Sequence, residues 1–221
     1  MKIKKLLLVA LLFESCRSIP IYKYEVEDLK NKTNLSNKTL KILFLKDERK
    51  GENVNKSILS LVPLFISGTT ELNFPEYDEI SVNTPLEFFI ADILEKEISS
   101  SYNFKKITIT NDESLPTDYT IHGVLNKSYC ERNIYTYGLS IYGVLLWYFG
   151  APAMSNECEI DLKIFFNDSK NKQLFSKTYS KKQSLNVGFY TKFSNLNRIY
   201  GEIFKNISKE IMNDFSSNIS N

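Results

Sequence analysis

The chain has 221 residues, 43% apolar and 24% charged, the composition of a folded protein of ordinary size. Its formal charge of +2 is carried by Lys2, Lys4, Lys5 and Glu14, so the chain from residue 16 onward is neutral. That balance leaves no basic patch and argues against a nucleic-acid partner.

The first sixteen residues carry the strongest local signal. Three lysines precede eight apolar residues, Leu6 to Phe13, and then Glu14-Ser15-Cys16. Eight apolar residues are too few to cross a bilayer, whereas a basic start, a short apolar run and a cysteine after a small residue form an export signal for a bacterial lipoprotein. Residues 1–15 are therefore expected to be removed and Cys16 to be acylated, tethering the chain to a membrane of the cell envelope, with the outer membrane as the expected site. The segment Phe13-Glu14-Ser15-Cys16 departs from the usual lipobox at two positions. Ordinary cleavage nearby, with Cys16 an unmodified thiol, is the competing reading.

Residues 16–38 are polar and rich in lysine and asparagine, and read as a flexible tether. Residues 39–217 are expected to form a single domain. Its first strand is Leu40-Lys41-Ile42-Leu43-Phe44-Leu45, apolar at nearly every position and so central in a sheet. Thr84-Pro85-Leu86-Glu87 is a helix start, with a capping threonine, proline at the first helical position and a glutamate three residues after the cap. The helix that follows places Leu86, Phe89, Ile90, Ile93, Leu94 and Ile98 on one stripe.

Four strands follow by alternation, near residues 106–110, 119–130, 158–166 and 173–180, the last two joined by a turn at 167–172. A final helix from about Ser194 presents Ile199, Ile203, Ile207, Ile211 and Phe215 on one side. The order β-α-β-β-β-β-α predicts an α+β domain: a mostly antiparallel five-stranded sheet with both helices on one face.

With Cys16 assigned to a lipid, two cysteines remain, Cys130 and Cys158, at the edges of strands that can pair antiparallel. A structural disulfide between them is one reading; two reduced thiols or a reactive site are the others. No Cys-x-x-Cys pair, metal-ligand spacing or glycine-rich phosphate loop occurs, and no cofactor or metal is expected. His122, the single histidine, lies in a strand, where a structural role is the ordinary one.

Between the strands that should be neighbours lies an excursion at residues 133–156 without a charged side chain. It holds Trp147, the one tryptophan, and is almost wholly apolar from Ile141 to Ala151. A hairpin needs only two to five linking residues, so four readings are open: a lid over the sheet, an exposed patch for a partner or acyl chain, a segment dipping into a membrane interface, and a spanning helix. A second apolar loop, residues 58–66, is placed to pack beside it and form a platform. Ile141, Leu145, Leu146, Trp147 and Phe149 are the expected contact residues.

Several motifs carry a family resemblance: Leu61-Val62-Pro63, Pro75-Glu76 and Gly138-Leu139-Ser140-Ile141-Tyr142-Gly143-Val144-Leu145-Leu146-Trp147. With these the chain resembles uncharacterised bacterial envelope lipoproteins, and its Cys16 motif the looser lipobox of spirochaetes. The element order is also similar to transport-auxiliary lipoproteins and to the amino-terminal domain of TolB. The resemblance implies a non-catalytic, lipid-anchored envelope protein, an accessory or docking subunit of a transport or assembly system that meets an envelope protein partner. The alternative is a periplasmic carrier for lipid or another small apolar ligand.

Overall fold

The computed structural model describes residues 32–50, 53–73, 86–189 and 196–219, together with Val26. The expected signal at 1–15, Cys16, most of the expected tether, Pro75-Glu76 and the Thr84-Pro85 helix start lie outside the described residues.

The elements run in the order β1 (Thr33–Leu43), β2 (Lys46–Asp47), β3 (Val54–Asn55), β4 (Ser67–Asn73), α1 (Leu86–Ser101), β5 (Tyr102–Thr110), β6 (Tyr119–Tyr135), α2 (Val144–Tyr148), β7 (Met154–Asp168), β8 (Gln173–Val187) and α3 (Leu196–Ile219). Among the described residues this is an α+β fold of three helices and one eight-stranded mixed sheet. The expected five strands are thus eight, and the sheet is not mostly antiparallel throughout. β1 pairs parallel with β5 on one side and with the start of β6 on the other, and β2 also lies parallel to β6. A crossover through α1 makes the β1–β5 pairing parallel, because a helix carries the chain back before the next strand begins. β1 also starts at Thr33, earlier than the first strand read from the sequence, and Thr33 to Leu35 pair with Tyr102 to Phe104.

β6 organises the sheet. One edge pairs antiparallel with β7 along its whole length. The other edge serves β1 at Leu40–Tyr119, then β2 at Lys46–Val124, then β4 from Asn73–Tyr129 to Ser67–Tyr135. A register shift between Leu125 and Lys127 marks a bulge. Before it, Ile121 and Leu125 face the core; after it, Ser128 and Cys130 do, so the extra residue changes which parity points inward. β7 keeps one parity throughout, with Cys158, Ile160, Leu162, Ile164 and Phe166 all buried.

α1 and α3 cover one face of this sheet. The apolar stripe read from the sequence is buried in α1, and in α3 Ile199, Ile203, Ile207, Ile211 and Phe215 are joined by Tyr200 and Phe204. Phe89 meets Phe204 edge-on at 6.2 Å between ring centroids, and Phe215 packs on Tyr102 at 5.3 Å and Phe166 at 4.7 Å. The buried Ser128 and Tyr200 hydroxyls bond to each other at 3.0 Å, satisfying both polar atoms inside the core. Lys41, 4% exposed on central β1, donates to the Glu113 and Leu115 carbonyls at 2.7 and 2.9 Å.

Cys130 and Cys158 stand directly opposite each other in the β6–β7 register and form a disulfide, fully buried beneath the helices. The bridge closes a loop with a sequence separation of 28. On the chain-entropy model, replacing both cysteines with alanine lowers stability by about 3.5 kcal/mol. The measurement is the urea midpoint with and without reductant: wild type should fall toward the double variant when reduced. An unchanged midpoint would show that no bridge is present.

Candidate functional site: an apolar platform

At the far end of β6 the chain forms two loops that fold on each other. The first follows β3: Ser57–Leu61 makes a short 3-10 turn and residues 62–66 lead into β4. The second links β6 to β7 through another 3-10 turn, Ser140–Gly143, and then α2. Their backbones are laced together. Leu64 N–H donates to the Gly138 carbonyl at 3.0 Å, and Gly138 N–H returns to the Phe65 carbonyl at 3.1 Å. The amides of Thr136 and Tyr137 both donate to the Ile66 carbonyl, at 3.0 and 2.9 Å. The Thr136 hydroxyl donates to the Ser60 carbonyl and the Ser140 hydroxyl to that of Leu61.

The second loop is also fastened to the sheet. Trp147 Nε1–H donates to the Tyr135 carbonyl at 2.8 Å, and the Tyr137 hydroxyl to the Pro152 carbonyl at 2.6 Å. The Tyr148 ring packs on Phe189 at 4.3 Å. Gly143 sits against the backbone of Thr136 so closely that any Cβ would collide with it, which is why only glycine serves there.

These closures force an unusual backbone. Among the described residues, Leu64 (φ 74°), Tyr137 (φ 57°), Ser140 (φ 53°) and Asn171 (φ 59°) are the non-glycine residues at positive φ, and the first three are in the two loops. For a bulky leucine this conformation costs of order 1–3 kcal/mol.

With the polar backbone turned inward, apolar side chains are left outside. Every large hydrophobic residue exposed among the described residues belongs to these two loops, twelve in all. The first loop contributes Ile58, Leu61, Val62, Leu64, Phe65 and Ile66; the second, Leu139, Ile141, Tyr142, Leu145, Tyr148 and Phe149. Leu64 is 90% exposed and Phe149 87%. Neither loop carries a charge, since residues 57–66 and 133–156 contain no Lys, Arg, Asp or Glu. Monomeric proteins rarely leave so much contiguous apolar surface in water unless something covers it.

The excursion is thus not a lid over the sheet: it stands beyond the strand ends, and half a dozen of its side chains face solvent. No helix among the described residues is long and apolar enough to cross a membrane. Of the expected contact residues, Ile141, Leu145 and Phe149 lie on the exposed surface, whereas Leu146 and Trp147 are half-buried at its base. Sequence reading placed residues 58–66 beside the excursion, where they lie, but did not single out Leu64 or Phe65. Their signal was an uncharged apolar run in a loop.

Four residues inland, Glu71, Glu131 and Glu157 stand in one row across β4, β6 and β7. Burial, followed by the nearby charges of Glu71, Glu131 and Glu157, pushes the neighbouring Tyr129 hydroxyl up to about 12. Lys182 pairs with Glu157 at 2.6 Å. No group of three or more His, Cys, Asp or Glu able to hold a metal is found among the described residues.

His122 lies near the other end of β6, half-buried and stacked on Phe165 at 4.7 Å, beside a cavity of about 220 Å³ that Glu113 and Lys46 also line. Burial lowers its pKa, against a smaller opposing pull from Glu113.

No protein-family model and no curated protein sequence matches the chain. Distant likeness in fold is found to lipoprotein GNA1162 from Neisseria meningitidis, at 10% identity over 80% of this chain and 99% of that one, with a TM-score of 0.34. A neuraminyllactose-binding hemagglutinin homolog from Helicobacter pylori is similar at 8% identity over 90% and 91% of the two chains, with a TM-score of 0.39.

The platform geometry separates surface from scaffold. Leu145→Ser and Phe149→Ser should change stability by no more than about 0.5 kcal/mol, because both side chains are already in water. Gly143→Ala should cost about 1–3 kcal/mol by forcing α2 away from Thr136. Chemical denaturation of the three variants checks the contrast; an equal loss from Phe149→Ser would mean that its ring is core.

The single histidine gives a separate test in pH. Because the folded state holds His122 below its ordinary pKa, the neutral form is the one that stabilises. That contribution is complete above about pH 6.5 and is lost as the pH falls from there toward the folded value. Urea midpoints should therefore drop between pH 7.5 and 5.5, and His122→Gln should flatten the drop.

Proposed function

We infer that this protein is a non-catalytic, lipid-anchored protein of the bacterial cell envelope that docks through its apolar platform as an accessory subunit of a transport or assembly system. The observation that carries the reading is the confinement of all twelve large hydrophobic residues exposed among the described residues to two uncharged, hydrogen-bonded loops at one end of the sheet. Burying such side chains is favourable by about 1.5–3 kcal/mol for each one fully covered, so a few at the centre suffice for stable contact.

Two further features support the envelope location. The Lys-rich start, short apolar run and Cys16 fit export and acylation. The buried Cys130–Cys158 bridge fits an oxidising compartment. The outward-facing side chains of both loops favour docking over enclosure of a small apolar ligand, because a carrier needs walls on several sides of its cargo.

Anchor and platform are separable by mutation. Cys16→Ala should release the protein from the membrane fraction while leaving the fold intact. The pair Leu145→Ser and Phe149→Ser should stay membrane-bound but lose the envelope transport or assembly components that wild type retains in mild detergent. Quantitative mass spectrometry of both pull-downs decides the matter. Retention of the same components by the platform variant would remove the docking role from this surface.

A further inference from the structure

We propose that the protein docked on the platform has an apolar face bordered on one side by lysine or arginine, and that these cations rest on the row of glutamates at the platform's edge. The proposal depends on the docking role above and specifies the chemistry of the partner that fills it.

The row is where charge begins. Along β4 from the first loop, residues 57–70 are uncharged and Glu71 is the first charged side chain. Along β7 from the second loop, Glu157 is the first. Back along β6, Arg132 comes before Glu131, but Arg132 shares the inward parity of Cys130 and donates to the side-chain oxygen of buried Asn156 at 3.1 Å. Glu131 is thus the first charge on the opposite face. Glu71 stands opposite Glu131, and Glu131 opposite Glu157, so all three share the sheet face turned away from α1 and α3.

This row belongs to the same surface as the platform. Four residues of strand, about 13 Å, separate Glu131 from Tyr135, well within an interface of about 800 Å² per partner. The strip between them is polar, uncharged and bonded. Asn133 donates to Glu131 at 2.6 Å and accepts from the Thr69 hydroxyl at 2.6 Å, and the Tyr135 and Ser155 hydroxyls meet at 2.9 Å.

The row is short of cations. Like charges directly opposite one another in a sheet repel. Lys182 pairs with Glu157, and Lys127, one rung further on, is taken by Glu159 at 2.7 Å. Among the described residues no salt bridge reaches Glu71 or Glu131, and Lys56, which borders the first loop from β3, forms none with the row. Two half-buried carboxylates therefore stand in line beside the apolar surface without a cation. At physiological ionic strength charges act over only about 8 Å, so the row does not reach past the loops. It acts once apolar contact is made, accepting a cationic border and rejecting an acidic one. A second copy is a poor occupant, because platform-to-platform packing would bring two acidic rows together.

The test compares cells carrying the wild-type chain, the Leu145→Ser and Phe149→Ser pair, and the Glu71→Gln and Glu131→Gln pair. A carbodiimide, which couples carboxylates to amines in contact, is applied before extraction in mild detergent, and retained proteins and coupled residues are measured by mass spectrometry. Components that depend on the platform should fall about tenfold in the glutamine pair, the effect of losing two rim ion pairs. In wild type, Glu71 or Glu131 should be coupled to a lysine of one of those components. The urea midpoint of the glutamine pair should equal or exceed that of wild type, since like charges have been removed. A lowered midpoint would assign the row to the fold and overturn the proposal. Components lost from the serine pair but fully retained by the glutamine pair overturn it while leaving the docking role in place. Coupling only to a lysine of another copy of this chain overturns it in favour of self-association. If no component depends on the platform, the docking role itself fails and the proposal falls with it.

Discussion

The bulge after Leu125 is the constraint on which the rest of the molecule turns. β6, 17 residues long, takes two sets of neighbours on one edge, and the bulge, which bends the strand and switches its parity, lies between them. Up to Leu125, β6 presents Ile121 and Leu125 to the helices and takes β1 and β2 in parallel. Beyond the shift it presents Ser128 and Cys130 inward and takes β4 antiparallel. Without the extra residue Cys130 would face solvent, away from Cys158, and the bridge could not close. The same step brings β4, and with it the first loop, alongside the second. The inward turn of Ser128 and Cys130, and with it the disulfide, thus depends on one inserted residue.

Much of this was legible in the sequence and some could not have been. The apolar stripes of α1 and α3, and the unbroken alternation of β7, give clear signals because each packs one face against a core. β2, β3 and β4 give almost none: Ser67–Asn73 is polar and glycine-containing, with no period, and is held as a strand by pairing with β6 rather than by its own propensity. Parallel pairing of β1 was hidden because element order alone does not state which strands become neighbours. At the platform, the lack of charge was plain. Which side chains face outward was not, because that depends on positive φ at Leu64, Tyr137 and Ser140, residue types that do not advertise it.

The two loops reverse the usual division between core and surface. In the domain proper, apolar side chains turn inward and pairing along the strands satisfies the backbone. In the platform, hydrogen bonds between two non-repetitive segments satisfy the backbone, and the side chains are displaced outward. Strain at Leu64 and the close approach of Gly143 to Thr136 are what that inversion demands. A surface stiffened in this way loses little conformational entropy when it is covered, so more of the burial energy remains for binding.

On the docking reading proposed above, the absence of charge on the two loops would also set how fast the platform finds a partner. Charged interfaces steer their partners and associate at up to 10⁸–10⁹ M⁻¹s⁻¹, whereas a neutral one is limited to about 10⁵–10⁶ M⁻¹s⁻¹. A slow encounter of this kind is best offset by confinement. Attachment of one end to a surface restricts the search to a thin layer and raises the effective concentration of the tip within it. With Cys16 acylated as proposed, the anchor and the uncharged platform would answer a single kinetic problem: an encounter that lacks long-range attraction is made frequent by proximity.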